Sequence, residues 1–266
     1  MAFRYRSFRV RRLTEKEYWD SYWNDFKLPV EHKKSSGNLY INEILDTLSR
    51  HIPSEKELRV LEIGGAPGQY LAYIAREFDC RVTSLDYSST GCEATRHNFE
   101  LLGLEAEVIE ADLFGEEINR FTSYDVVYSL GFVEHFDDIT DVVKRHLRFL
   151  KDDGVLIIGF PNFLGVNGWI MKRFDKQTLD RHNLKVMELS MWDIIERNLR
   201  LIPLFKGYIG GFEPKMFRMN RKNLINSAIR ILLKVCRLFT DRWRLLRKIN
   251  GRFLSGYVML VYRKGG

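Results

Sequence analysis

A chain of 266 residues with 45 % hydrophobic side chains can bury one large core, and no apolar run reaches the roughly eighteen residues that a membrane span needs. The three cysteines, Cys80, Cys92 and Cys236, have neither metal-site nor disulfide spacing, which argues against a disulfide scaffold. The arginine-rich start lacks the apolar stretch of a secretion signal, so a reducing cytoplasm is the expected setting. The formal net charge of +7 is unevenly spread. Residues 1–13 hold five arginines and no acid, and residues 215–252 hold twelve Lys or Arg against Asp241 alone. The remainder carries 25 basic and 34 acidic residues, an acidic core with two basic attachments of the kind that meet an anionic partner.

In chain order, residues 1–37 form a basic and aromatic segment that includes Tyr18-Trp19-Asp20-Ser21-Tyr22-Trp23. The main domain is expected over 38–266. Val60 to Ile63 reads as a short buried strand that runs into Gly64-Gly65-Ala66-Pro67-Gly68 and a helical segment, Gln69 to Phe78. A second strand, Arg81 to Leu85, ends in Asp86, and a third, Glu107 to Leu113, contains Asp112 at its end. Tyr124 to Ser129 is a fourth strand, followed by Leu130-Gly131-Phe132-Val133-Glu134-His135-Phe136. Val142 to Leu150 is helical in pattern, Asp153-Gly154 turns the chain, and Val155 to Phe160 is apolar enough for a central parallel strand. Leu201 to Phe205 and Gly256 to Tyr262 are the last two strands. Strands alternating with helices predict a doubly wound α/β sheet.

The glycine turn discriminates among ligands. A dinucleotide fingerprint, G-x-G-x-x-G, would place glycines at 64, 66 and 69, where the chain has Gly64, Ala66 and Gln69. A pyrophosphate cradle is therefore disfavoured. A nucleoside-like ligand fits better, with the Asp86 carboxylate able to accept hydrogen bonds from ribose hydroxyls.

Glu62, Gly64, Ala66 and Gly68 fill an E/D-x-G-x-G-x-G pattern, with Ala66 replacing the commonest residue. Together with Asp86, Asp112 and the Glu134-His135-Phe136 element, the stretch resembles class I S-adenosylmethionine-dependent methyltransferases. The resemblance covers about residues 38–208 and the last strand. It implies a Rossmann-like seven-stranded sheet, mostly parallel with the last strand antiparallel, and S-adenosylmethionine as cofactor. The implied cofactor residues are Glu62, Gly64, Gly65, Ala66, Gly68, Asp86, Tyr87, Asp112, Leu113 and Ser129, with Asp112 at the adenine amino group. The aromatic run at 18–23 resembles the helix that often covers the cofactor in this family, and plain core packing is the competing explanation. The E-H-F element is frequent in members that act on small molecules and lipids.

Two insertions bear on the acceptor. Residues 161–187 leave the fifth strand with Asn162, Gly165, Asn167 and Gly168 as turn formers and Phe163, Trp169, Met171 and Phe174 as apolar surface, which suits a lid or acceptor wall. Within the second insertion, 209–254, the pattern from Asn223 to Ile249 is that of a cationic amphipathic helix. Packing on the domain, contact with an anionic membrane surface, and nucleic-acid binding all stay open for it.

Methyl transfer from a sulfonium is a direct displacement, so the protein mainly aligns the reactants and excludes water. A hydroxyl acceptor also needs a base. His135 and His182 are the candidates, with Glu134 beside them, although a histidine that only shapes the pocket or caps a helix explains each as well. No motif specifies a metal. The expected activity is methyl transfer to oxygen, with nitrogen next, of a small-molecule, saccharide or lipid-linked acceptor, in the cytoplasm or at the inner membrane surface. RNA ribose methylation and non-catalytic nucleotide binding are the alternatives. An exocyclic-amine or cytosine C5 enzyme lacks its motif at Ser129-Leu130-Gly131-Phe132.

Overall fold

The computed structural model describes residues 10–24, 26–35, 39–115, 118, 123–213, 231, 235 and 250–265. Seven strands form one sheet: β1 (Leu58–Ile63), β2 (Cys80–Asp86), β3 (Glu107–Glu110), β4 (Tyr124–Leu130), β5 (Leu150–Pro161), β6 (Leu201–Ile209) and β7 (Tyr257–Lys264). Their spatial order is β3-β2-β1-β4-β5-β7-β6. β1 to β5 pair in parallel, while β7 runs antiparallel to both of its neighbours, β5 and β6.

Burial on both faces explains why the strands read as near-continuous apolar runs. Successive side chains point to opposite faces. Val60, Val126, Ile157 and Met259 therefore join one core, and Leu61, Val127, Leu156 and Leu260 join the other. The first core is covered by α2 (Leu39–His51) and α3 (Gln69–Glu77). α2 buries Ile41, Ile44, Leu45 and Leu48, one stripe at helical spacing. The second core lies beneath α5 (Ile139–Phe149) and α8 (Leu189–Leu199), whose Val142, Val143, Trp192 and Ile195 are buried. The remaining long helices are α1 (Lys16–Asn24), α4 (Ser89–Leu102) and α6 (Gly165–Phe174), with α7 (Lys176–Leu179) a single turn.

Several boundaries differ from the sequence reading, those of β5 and β3 among them. Leu150 opens β5 rather than closing α5, because it pairs with Tyr124 of β4 ahead of a register shift at Tyr124/Val126. The Asp153-Gly154 turn is thus an irregularity inside the strand, with Asp153 at φ 61°. β3 stops at Glu110, which leaves Asp112 and Leu113 in the loop after it.

Residues 161–187 hold α6, α7 and a 3-10 turn, Leu184–Met187. Ile170, Met171, Leu179, Val186 and Met187 pack into the second core. Asn162 Nδ2 donates to the carbonyls of Arg252 (3.0 Å) and Ser255 (2.8 Å), and Asn167 Nδ2 donates to Ser255 O (2.9 Å), stitching this segment to the approach to β7. The amphipathic helix expected over Asn223 to Ile249, and with it most of 215–252, lies outside the described residues, as do Arg4, Arg6 and Arg9. Among the described residues no helix is long and apolar enough to cross a membrane.

Candidate active site

The strand order reverses between β1 and β4, and a ligand crevice forms at the carboxyl ends of strands at such a point. A cavity of about 780 Å³, counted out to its solvent mouth, opens there. Its floor is the β1–α3 turn with Glu62, Gly64, Gly65, Ala66, Gln69 and Tyr70. Asp86 and Tyr87 at the end of β2 form one side, Leu130 to Phe132 with His135 and Phe136 the other. Thr14, Trp19, Tyr22 and Trp23 close the top.

Close packing dictates the glycines of the turn. Gly64 has φ +69°, and a Cβ there would lie 2.2 Å from Phe132 Cδ2. A Cβ on Gly65 would lie 1.9 Å from Glu62 Cδ, so the backbone folds directly over that carboxylate. Glu62 is 1 % exposed, its Oε2 has no partner, and burial pushes its carboxyl up to about 8. Asp86 is also buried. Desolvation raises it to about 6 even though Oδ1 accepts the Ser88 N–H at 2.9 Å. Two buried carboxyls that face one cavity, one of them with an orphan oxygen, call for a ligand that brings positive charge and hydroxyl donors.

α1 forms the roof and is tied at two points to the start of α4. Ser88 Oγ donates to Asp20 Oδ1 at 2.5 Å while accepting from Gly91 N, and Lys16 Nζ donates to Ser89 Oγ at 3.0 Å. Trp19 Nε1 donates to Thr14 Oγ1, and its ring stands edge-on to His135 with centroids 5.1 Å apart. The segment before α1 adds Arg12, which carries no sequence signal of a site. Its guanidinium pairs with Asp112 and lies over the rings of Tyr87 (4.9 Å) and Phe114 (5.3 Å). That is the place the resemblance assigns to the adenine. Leu13 N donates to His135 O at 2.8 Å, which pins this strap on the turn after β4.

That turn is a 3-10 element, Val133–His135, with Glu134 and His135 both buried. His135 Nδ1 is 2.9 Å from Arg181 O, and His182 Nδ1 is 2.7 Å from Thr178 O. A carbonyl only accepts, so both Nδ1 atoms carry the proton. The two rings lie 4.6 Å apart. Asn183 fastens the segments together, since its N–H donates to Glu134 O and its Nδ2 to Phe136 O. Burial pushes His135 down to about 3 and His182 to about 4, and Glu134 up to about 8. Both imidazoles are neutral at neutral pH and only weakly basic at Nε2, a poor property for the general base expected at His135 or His182.

Of the ten residues implied for the cofactor, Glu62, Gly64, Gly65, Ala66, Asp86 and Tyr87 line the cavity. Gly68 caps α3 behind them, against Phe99. Asp112 is turned to Arg12 and to Phe114 N. Leu113 is instead a core residue, 3 % exposed. Ser129 does not line the cavity either, because its Oγ meets His146 Nε2 at 3.0 Å in a fully buried position beneath it. No residue of 161–187 lines the cavity, and the segment reaches it through His182 on His135. Tyr70, Gln69 and Thr14 join the site without having been assigned to it from the sequence.

Residues 61–158, which span the glycine turn, Asp86, Asp112 and the Glu134-His135 turn, match the family described as the methyltransferase domain. Residues 61–158 carry a methyltransferase domain. A protein-L-isoaspartate O-methyltransferase of Thermotoga maritima is 25 % identical over 207 residues, 75 % of this chain and 58 % of that protein. A ubiquinone biosynthesis O-methyltransferase of Rickettsia typhi is 22 % identical over 143 residues, 53 % of this chain and 56 % of that one. The chain thus spans little more than half the length of these curated relatives. Among solved structures, geranyl diphosphate C-methyltransferase from Streptomyces coelicolor A3(2) superposes with a TM-score of 0.62 at 13 % identity, covering 94 % of this chain and 97 % of that one. The two proteins therefore share a fold.

Proposed function

We propose that this methyltransferase domain transfers a methyl group from S-adenosylmethionine to a hydroxyl oxygen of a small-molecule acceptor. The observation that carries the reading is the buried, unpartnered Glu62 Oε2 beneath the Gly64-Gly65 turn, in one cavity with the Asp86 carboxylate. Glu62 suits a ligand ammonium, and Asp86 suits ribose hydroxyls. When bound, the cofactor supplies an electrophilic methyl group on a sulfonium. The protein's part is to align and to exclude water: Trp19, Tyr22 and Trp23 cover the cavity, and the Gly131–Phe136 side leaves room for an acceptor. Oxygen is favoured as the accepting atom by two relatives named as O-methyltransferases. Saccharide, quinone and lipid-linked hydroxyls all remain within this class. RNA ribose methylation has less support, since it rests on the basic segments and not on the cavity.

Calorimetry with S-adenosylhomocysteine and with NADH tests the cofactor, and methyl incorporation from labelled S-adenosylmethionine across hydroxylated acceptors tests the reaction. Binding of S-adenosylhomocysteine but not NADH is expected. A protein that binds neither overturns the reading.

A further inference from the structure

We propose that Glu134, His135 and His182 form a binding site for one divalent transition-metal ion of the zinc type, on the acceptor side of the cavity. One donor atom from each residue lies within 4.8 Å of the others, and among the described residues this is the group of His, Cys, Asp and Glu side chains so arranged. Two ligand atoms bound to one ion at about 2.1 Å can be at most about 4.2 Å apart. Glu134 Oε1 and His135 Nε2, at 3.9 Å, already satisfy that limit.

The hydrogen bonds behind the cluster prepare it for a cation. Both Nδ1–H groups donate to backbone carbonyls, Arg181 O and Thr178 O, which fixes the tautomers and leaves each Nε2 with its lone pair. Metal-ligating histidines are held in this way, with the second nitrogen on a carbonyl or carboxylate. Glu134 supplies the independent sign. It is 1 % exposed, and its Oε2 has no partner. A carboxyl hydrogen-bonded to the neighbouring imidazole does not explain the arrangement, because 3.9 Å is too long for such a bond. Burial keeps both imidazoles neutral, the form that binds metal. The donors also arrive from two segments 47 residues apart that Asn183 clamps together through Glu134 O and Phe136 O.

Two nitrogens and one carboxylate oxygen favour zinc or a neighbour in the first transition row over magnesium or calcium. Three protein ligands leave a coordination position open. His135 lines the cavity, so that position faces the space left for an acceptor. A hydroxyl or water ligated there would have its pKa lowered, its proton passing to solvent. That role rests on the proposed methyl transfer, whereas the ion's binding does not. It would also replace the general base that two weakly basic, buried histidines do not provide.

The test uses full-length protein stripped with EDTA. Titration with ZnCl2 by calorimetry, and metal analysis after buffer exchange, should give one equivalent per chain with a Kd of about 1 µM or tighter. Co2+ in place of zinc should give visible d–d absorption. Glu134→Gln and His182→Ala should each weaken zinc at least about a hundredfold and abolish the cobalt bands, while His97→Ala, at a surface histidine, should not. Circular dichroism and S-adenosylhomocysteine affinity report whether each variant is folded. Substoichiometric zinc in the wild type, or undiminished zinc binding in folded His182→Ala, overturns the proposal. Loss of S-adenosylhomocysteine binding with zinc binding intact would instead count against the cofactor reading alone.

Discussion

The Arg12 guanidinium is paired with the Asp112 carboxylate and lies over the Tyr87 ring, 4.9 Å from its centroid. A cation thus stands where an adenine amino group and ring are expected. Adenine has to displace the arginine, at the cost of a partly exposed ion pair and a cation–π contact, about 1 kcal/mol together. Arg12→Ala should therefore tighten S-adenosylhomocysteine binding about three- to tenfold. Raising the salt concentration should strengthen binding to the wild type and leave the variant unaffected. Calorimetry at two ionic strengths reads both effects.

Glu62 gives binding a pH dependence of known sign. Burial holds its carboxyl at about 8, so near pH 7 the unliganded side chain is mostly protonated. A ligand ammonium favours the ionised form, and the proton must leave as the ligand enters. Affinity for S-adenosylmethionine should rise with pH towards about 8 and then level off. Calorimetric enthalpies at pH 7 should vary with the ionisation heat of the buffer, reporting proton release. Glu62→Gln should remove both effects and weaken binding about tenfold or more.

Gly64 cannot accept a side chain. Its φ of +69° costs an alanine roughly 1–2 kcal/mol, and the new Cβ would have to push aside Phe132, 2.2 Å away. Gly64→Ala should lower the urea midpoint and weaken S-adenosylhomocysteine at least about tenfold, because Phe132 borders the cavity. An alanine variant with unchanged affinity would mean that the turn is not the cofactor's floor.

His146 links acid stability to the same sheet. Its Nδ1–H donates to Val142 O, so Nε2 must accept from Ser129 Oγ–H, and burial holds the imidazole down at about 4. Because the folded pKa lies below the unfolded value, its contribution is whole above about pH 6.5 and is lost as pH falls towards 4. The loss amounts to roughly 3 kcal/mol at pH 4. His146→Gln, which does not titrate, should show a shallower fall in urea midpoint between pH 7 and pH 4.

The parts of the site legible in the sequence were those built by contiguous residues. Glu62 to Gly68 and Asp86 announce themselves because a strand, a turn and a helix impose local rules on them. The apolar run at Val155 to Phe160 reads as a central strand because both of its faces are buried. Ser129 is implied by the resemblance, which does not say which side chains of a strand buried on both faces point beneath the cavity, as its Oγ does. Arg12 left no trace, since its meaning depends on Asp112, a hundred residues away, and on two rings from other loops. His135 and His182 could be named separately as histidines, yet their pairing depends on the path of α6 and α7, which only the tertiary fold supplies.

β7 lies between β5 and β6, and its Val258, Met259, Leu260 and Val261 are buried on both faces. During synthesis β6 therefore emerges with no neighbour of its own, and its edge stays unpaired until residues 257–264 follow. The β6 edge waits on a strand separated from it by residues 210–256, a long-range closure of the kind that slows folding. Meanwhile the glycine turn and its carboxylates, built from β1 to β4, can already be in place.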